Sequence, residues 1–176
     1  MELLEEVGQR AAVVREKFAE LTEEEIAECA AQVGVDAVGY ADPSNPMVRD
    51  HVFDPDRMVS LQGDTGVHLR YAFARIRSIG RGAVERDTPE PRHPFSRLPR
   101  RLRVRLRHRG LLPDEFTRVF QPAAEIQEPH EPAAHPYGPA SAFTSLHEHC
   151  PVPRADVSKA GAANRLFLCE MTDRTL

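Results

Sequence analysis

His147-Glu148-His149-Cys150 is the densest cluster of ligand-type side chains in this 176-residue chain. Two residues apart on a helix, His147 and His149 point in different directions, so one face cannot offer both to a tetrahedral metal. No metal site is expected. Asp54 and Asp56 have the residue type for acid–base work, but beside Pro55 they fit turn-forming aspartates better. Gly63-Asp64-Thr65-Gly66 lacks the lysine and spacing of a phosphate-binding loop. No GxSxG, HExxH, GxGxxG or CxxC pattern occurs, and no nucleophile is spaced against a base. The chemistry that remains is cationic. Arg70, Arg77 and Arg81 fall on one narrow flank of a helical stretch when residues advance by about 100° each. Such a flank is either a solvated edge or a ridge that faces phosphate.

Net charge hides a strong asymmetry. The formal total is −4, yet residues 1–50 carry twelve acids against four bases, and residues 92–109 carry eight arginines and no acid. Of the 23 bases, 21 are arginine, the two lysines being Lys17 and Lys159. Cys29, Cys150 and Cys169 are odd in number and far apart, which argues against a disulfide framework and for a reducing cytosol. No apolar run approaches the ~20 residues of a membrane span. The first residues are acidic where a secretion signal is basic.

The elements that must position these residues are mainly helical. Leu3, Val7, Ala11, Val14 and Phe18 recur with helical spacing. Thr22 and Glu25 make a capping-box pattern, with Leu21 and Ile26 placed for a hydrophobic staple, and predict a helix from Glu23 to about Val33 that Gly34 ends or packs closely. His51–Val59 reads as a short extended piece with a turn at Asp54-Pro55. The clearest helix follows a cap at Asp64 or Thr65, with Leu69, Ala72, Phe73, Ile76 and Ile79 on its inner face. Between Thr88 and Gly110, four prolines break the pattern, and Arg101–Arg107 alternate as a half-buried strand with a cationic face would. Helical spacing returns at Asp114 and is cut by Pro122. Pro129, Pro132, Pro136 and Pro139 then predict a loop. Two short helices follow, around Phe143–Cys150 and Leu166–Leu176, the last capped near Asp156 or Ser158.

Several stretches, in order, resemble one family. Val33-Gly34-Val35-Asp36-Ala37-Val38-Gly39-Tyr40-Ala41-Asp42 is similar to I-G-x-x-A-V-K-Y-x-D-L. Phe53-Asp54-Pro55-Asp56-Arg57-Met58, then Gly63-Asp64-Thr65, then Leu69-Arg70-Tyr71-Ala72-Phe73-Ala74-Arg75-Ile76 are similar to F-D-x-D-R-M…G-N-T…Y-L-Q-Y-A-x-x-R-I. Ala142-Phe143 through Glu148-His149-Cys150-Pro151-Val152 resembles A-F-x-x-F-Y-E-x-C-P-V, and Arg165-Leu166-Phe167-Leu168-Cys169 with Thr172 and Thr175-Leu176 resembles the helix that follows. These patterns are those of arginyl-tRNA synthetase, a class I aminoacyl-tRNA synthetase. The departures are Asp64 for Asn, His68 for Tyr, Arg70 for Gln and Gly39 for Lys. Residues 88–110 share almost nothing with the Leu/Ala-rich helix of the family, a replacement that resembles a shifted reading frame.

The resemblance implies a truncated or degenerate C-terminal part of a synthetase. Residues 1–50 would be the helical end of the catalytic and stem-contact region. Residues 51–176 would be the helical-bundle (DALR) anticodon-binding domain, interrupted at 88–110 and 129–139 by an irregular Arg/Pro-rich middle. It implies tRNA as partner, through Arg70, Tyr71, Arg75, Arg77 and Arg81, with Phe73 beside them. The family joins arginine to tRNA with ATP through HIGH and KMSK motifs. Neither motif is in this chain, so no catalytic residue and no cofactor are expected here, and whether a separate catalytic chain acts with it stays open. Four readings stay open: a tRNA-binding module, a non-functional relic, an enzyme fragment acting in trans with a separate catalytic chain, and a basic protein that binds polyanions.

Overall fold

The computed structural model describes residues 6–7, 22–50, 52–85, 113–149 and 159–176. Seven helices have their bounds among these: α1 Glu23–Ala41, α2 Pro55–Met58, α3 Gly66–Glu85, α4 Pro113–Ile126, α5 His130–Ala134, α6 Tyr137–His149 and α7 Lys159–Asp173. The described residues contain no strand. The expected mainly helical fold is therefore the fold observed. Two compact units divide it, one of residues 1–70 with 123–134 and one of 71–122 with 135–176.

In the first unit, α1 starts from the capping box its sequence announces. The Thr22 amide donates to Glu25 at 2.8 Å, and the Glu25 amide donates to the Thr22 hydroxyl at 3.3 Å. Those two bonds satisfy helix-end donors that otherwise face water. The Thr22 amide first, and the Thr22 hydroxyl donating to the same carboxylate at 2.9 Å second, hold the Glu25 carboxyl below its usual range. The helix does not stop at Gly34 as predicted. Gly34 is buried mid-helix and α1 runs on to Ala41, where Ser44 Oγ and Asn45 Nδ2 donate to the Ala41 carbonyl. The apolar core of this unit gathers Val33 and Ala37 of α1 with Val7, Met58, Val59 and Val67.

Residues 52–54 are irregular rather than extended, and α2 replaces the rest of the predicted extended piece. Asp54 is the reason: its Oδ1 accepts from the Asp56 and Arg57 amides at 3.1 and 3.2 Å, so it nucleates a helical turn with Pro55 at its first position. The 61–64 bend contains Gly63 at φ +92°, a conformation that suits glycine. Thr65, not Asp64, caps α3. Its hydroxyl accepts from the His68 amide at 3.1 Å and donates to the Ser60 carbonyl at 2.7 Å. Helix α1 passes so close to the start of α3 that a Cβ on Gly66 would lie 2.6 Å from the Asp36 carbonyl oxygen.

In the second unit, α3 buries Ala72, Ile76, Ile79 and Ala83. Helices α6 and α7 pack together, burying Ala140, Ala142 and Phe143 on the one and Ala163, Leu166, Leu168 and Cys169 on the other. The prolines do less damage than predicted. Pro122 lies inside α4, which continues to Ile126. Pro132 falls in the first turn of α5, and Pro139 in the first turn of α6, where an amide has no intrahelical partner to lose. The 129–136 stretch is thus a short helix and a turn rather than a loop, and α6 has already begun at Tyr137. Gln127, at φ 56°, closes α4 in place of the usual glycine, and the Glu128 amide reaches back to the Ala123 carbonyl at 3.2 Å. Of the predicted helix at 3–18 only Glu6 and Val7 are described, both helical, with Val7 buried. The Leu21 half of the staple, the alternating arginines at 101–107 and the cap of α7 lie outside the described residues.

Candidate nucleic-acid interface

All five arginine and tyrosine candidates stand on α3, and the division into units falls between the first two of them. Arg70 belongs to the first unit. It pairs with Asp36 of α1, and its Nη2 donates to Gln32 Oε1 at 2.9 Å. Asp36 and Gln32 sit one helical turn apart, so both reach the same guanidinium. Both ion-pair side chains are about 40% exposed, at 41% each. A surface pair of this kind is worth only ~0–1 kcal/mol, weak enough for a phosphate to displace.

Tyr71, Arg75, Arg77 and Arg81 belong to the second unit. Tyr71 and Arg75 are one turn apart. Arg75 Nη1 donates to the Tyr71 hydroxyl, and its guanidinium carbon lies 5.5 Å from the ring centroid. Phe73 and Arg77 repeat the arrangement at the same spacing, the guanidinium carbon 5.0 Å from the ring centroid. Each pair is a cation over an aromatic face, worth ~0.5–1 kcal/mol at an exposed site. Each pair puts a flat cation beside a flat ring, and the two pairs lie on roughly opposite sides of α3, about 200° apart. That combination can meet both the phosphates and the bases of a nucleic acid.

Phe73 departs from the predicted core face. It is 38% exposed. On the helical wheel it lies about 60° from Ile76, at the edge of the buried stripe, where a guanidinium can lie over it. Arg77 also pairs with Asp173 of α7, Nε to Oδ1 at 3.0 Å. Beside that pair runs a groove of about 470 Å³, lined by Ile76, Leu166 and Cys169 together with Arg77, Arg81 and Glu170. Burial pushes the Cys169 thiol up to about 12, so this cysteine is not a nucleophile at neutral pH.

Two features of the surroundings were not legible in the sequence. His147 of α6 stacks on Phe143, ring centroids 6.0 Å apart. Burial, and then the positive charge of Arg75, hold its pKa below the ordinary value, while Glu148 pulls the other way. Asp173 is the second, because nothing in its spacing links it to Arg77, 96 positions earlier. Among the described residues, no group of three or more His, Cys, Asp or Glu side chains is placed to hold a metal. None of the described helices is long and apolar enough to cross a membrane.

The fold has close counterparts. Arginyl-tRNA synthetase from Thermus thermophilus superposes with a TM-score of 0.76 at 26% identity, over 99% of this chain and 29% of that one. The Plasmodium falciparum arginyl-tRNA synthetase gives 0.69 at 22% identity, covering 98% of this chain and 30% of that one, a likeness of fold. In sequence, the arginine–tRNA ligase of Streptomyces coelicolor is 49% identical over 178 residues, 99% of this chain and 29% of its own length. That of Saccharophagus degradans is 37% identical over 99% of this chain and 30% of its own length. The class these define is the helical, anticodon-binding C-terminal part of an arginine–tRNA ligase, which this chain resembles from end to end. Residues 69–176 match the DALR anticodon binding domain, and the chain belongs to that family. It spans about 30% of the length of the curated relatives it matches.

Proposed function

We propose that this chain binds tRNA at the anticodon arm, as the recognition portion of cytoplasmic arginyl-tRNA aminoacylation. The observation that carries this reading is the family match beginning at residue 69, which takes in Arg70, Tyr71, Arg75, Arg77 and Arg81 on one helix. In the reading, Arg70, Arg77 and Arg81 contact phosphates, and the Tyr71–Arg75 and Phe73–Arg77 pairs supply surfaces on which unstacked bases rest. The flat guanidinium suits this role because it hydrogen-bonds a phosphate edge-on and stacks face-on.

ATP binding and adenylate formation belong to the catalytic portion of the relatives. The HIGH and KMSK motifs that stabilise phosphate charge in that step do not occur in this sequence. These residues on their own therefore do not join arginine to tRNA, and a catalytic portion carrying those motifs does the chemistry. Gel shifts with tRNA at two salt concentrations, run beside arginine-dependent ATP–pyrophosphate exchange, test the reading. It expects affinity to fall by ~0.7 log units per log unit of salt for each single-strand phosphate neutralised, with no exchange activity. A salt-insensitive or undetectable shift contradicts it.

A further inference from the structure

Helix α1 sets a carboxylate on the first arginine of α3 from a fixed position. Gly66 and Arg70 are one turn apart on α3 and share a face. At Gly66 the two helices nearly touch: a Cβ there would lie 2.6 Å from the Asp36 carbonyl oxygen and 2.9 Å from Tyr40 Cβ. The Asp36 backbone is therefore held against α3 one turn from Arg70, and its carboxylate pairs with that guanidinium. One turn earlier on α1, Gln32 Oε1 accepts from Arg70 Nη2 at 2.9 Å, while Gln32 Nε2 donates to Glu28 Oε1 at 3.5 Å. The second bond fixes which end of the amide faces Arg70. Helix α1 thus gives this guanidinium two oxygens, one of them charged, as a phosphate group would.

Arg77 also has an aspartate, but the two pairs differ in burial. Asp173 is only 19% exposed, and its Oδ1 is buried. Removing Arg77 from it would strand a desolvated charge, so that pair persists when a phosphate arrives. Asp36 is 41% exposed and regains water once released. Its pair yields at small cost, yet the cost is not zero. A phosphate that takes Arg70 must displace Asp36, and the freed carboxylate then stands beside it as a like charge. The synthetase pattern has Gln at the position of Arg70, with no charge for an acid to cancel, so the pair belongs to this chain rather than to the pattern.

We infer that Asp36 is an internal competitor of tRNA phosphate for Arg70, and that this competition holds down the affinity of the chain for tRNA. The inference rests on the proposed contact of Arg70 with phosphate and adds the residue that tunes it. Asp36 acts through Arg70 and needs no contact with tRNA of its own.

The test measures tRNA affinity of the full chain at one low salt concentration and then over a salt series. Asp36→Asn should bind at least about twofold more tightly, and up to about fivefold, the most that an exposed pair is worth. A structural defect would weaken binding; release of a competitor tightens it. Asn matches Asp in size, and the close approach at Gly66 uses the Asp36 backbone, so circular dichroism melts should show the helices intact. Glu24→Gln removes the same charge from α1 about 18 Å along the helix and should give no gain. Arg70→Gln should weaken binding and lower the salt slope by ~0.7. Adding Asp36→Asn to Arg70→Gln should then change nothing further. A gain below twofold for Asp36→Asn overturns the inference, as does an equal gain from Glu24→Gln or from Asp36→Asn in the Arg70→Gln background. If Arg70→Gln itself alters neither affinity nor slope, the reading of Arg70 as a phosphate contact fails and the inference falls with it. The two failures therefore appear in different variants.

Discussion

Arg75 stands between two aromatic neighbours with different demands. Tyr71 holds its guanidinium by a hydrogen bond and a ring face, and His147 feels its charge. Burial and Arg75 both favour the neutral imidazole, so the histidine does not add a second cation near physiological pH. The sign follows: a histidine whose folded pKa is depressed contributes stability that is complete above its ordinary 6.5 and declines as pH falls through the lower folded value. NMR titration of His147 should therefore place its midpoint below 6.5, and Arg75→Ala should move it upward by removing the nearby charge. A midpoint that the substitution leaves unmoved would separate the two groups. A neutral His147 leaves the cations to the arginines of α3, the residues we propose for tRNA.

At the scale of elements, the first unit depends on caps and on one close approach. Thr22→Ala removes the hydroxyl that accepts the Glu25 amide, and should cost about 1 kcal/mol, read as a lowered denaturant midpoint. Gly66→Ala should cost more, about 1–3 kcal/mol, because the new methyl meets a backbone oxygen of α1 that cannot swing aside. An unchanged melt for Gly66→Ala would mean that α1 and α3 do not approach as described. The contrast also shows what a sequence can disclose. The capping box at Thr22 and Glu25 and the stripe of Ala72, Ile76 and Ile79 were legible because both are local patterns with a fixed period. The extent of α1 past Gly34 was not, because burial against distant residues decides it. Prolines misled for a related reason: their cost depends on the helix position, and Pro132 and Pro139 stand in first turns where the missing amide costs little. The arginine–aromatic pairs at 71/75 and 73/77 follow from four-residue spacing and were open to view. The Arg70–Asp36 and Arg77–Asp173 pairs required the folded chain.

At the scale of the whole molecule, two groups of arginines compete for the same role. The eight arginines of residues 92–109 dominate the electrostatics of the sequence. The arginines of α3 are fewer, and both groups lie within the residues 69–176 that match the family. A protein that merely attracts polyanions needs only the first group, whereas an anticodon reader needs the second. Selectivity, rather than affinity, therefore separates the two. The direct measurement is competition binding between an arginine tRNA and the same tRNA with its anticodon replaced, at one fixed salt concentration. The account predicts that the intact anticodon binds at least tenfold more tightly, and that Arg75→Ala with Arg77→Ala erases the difference. Equal affinity of the wild-type chain for both tRNAs would contradict it.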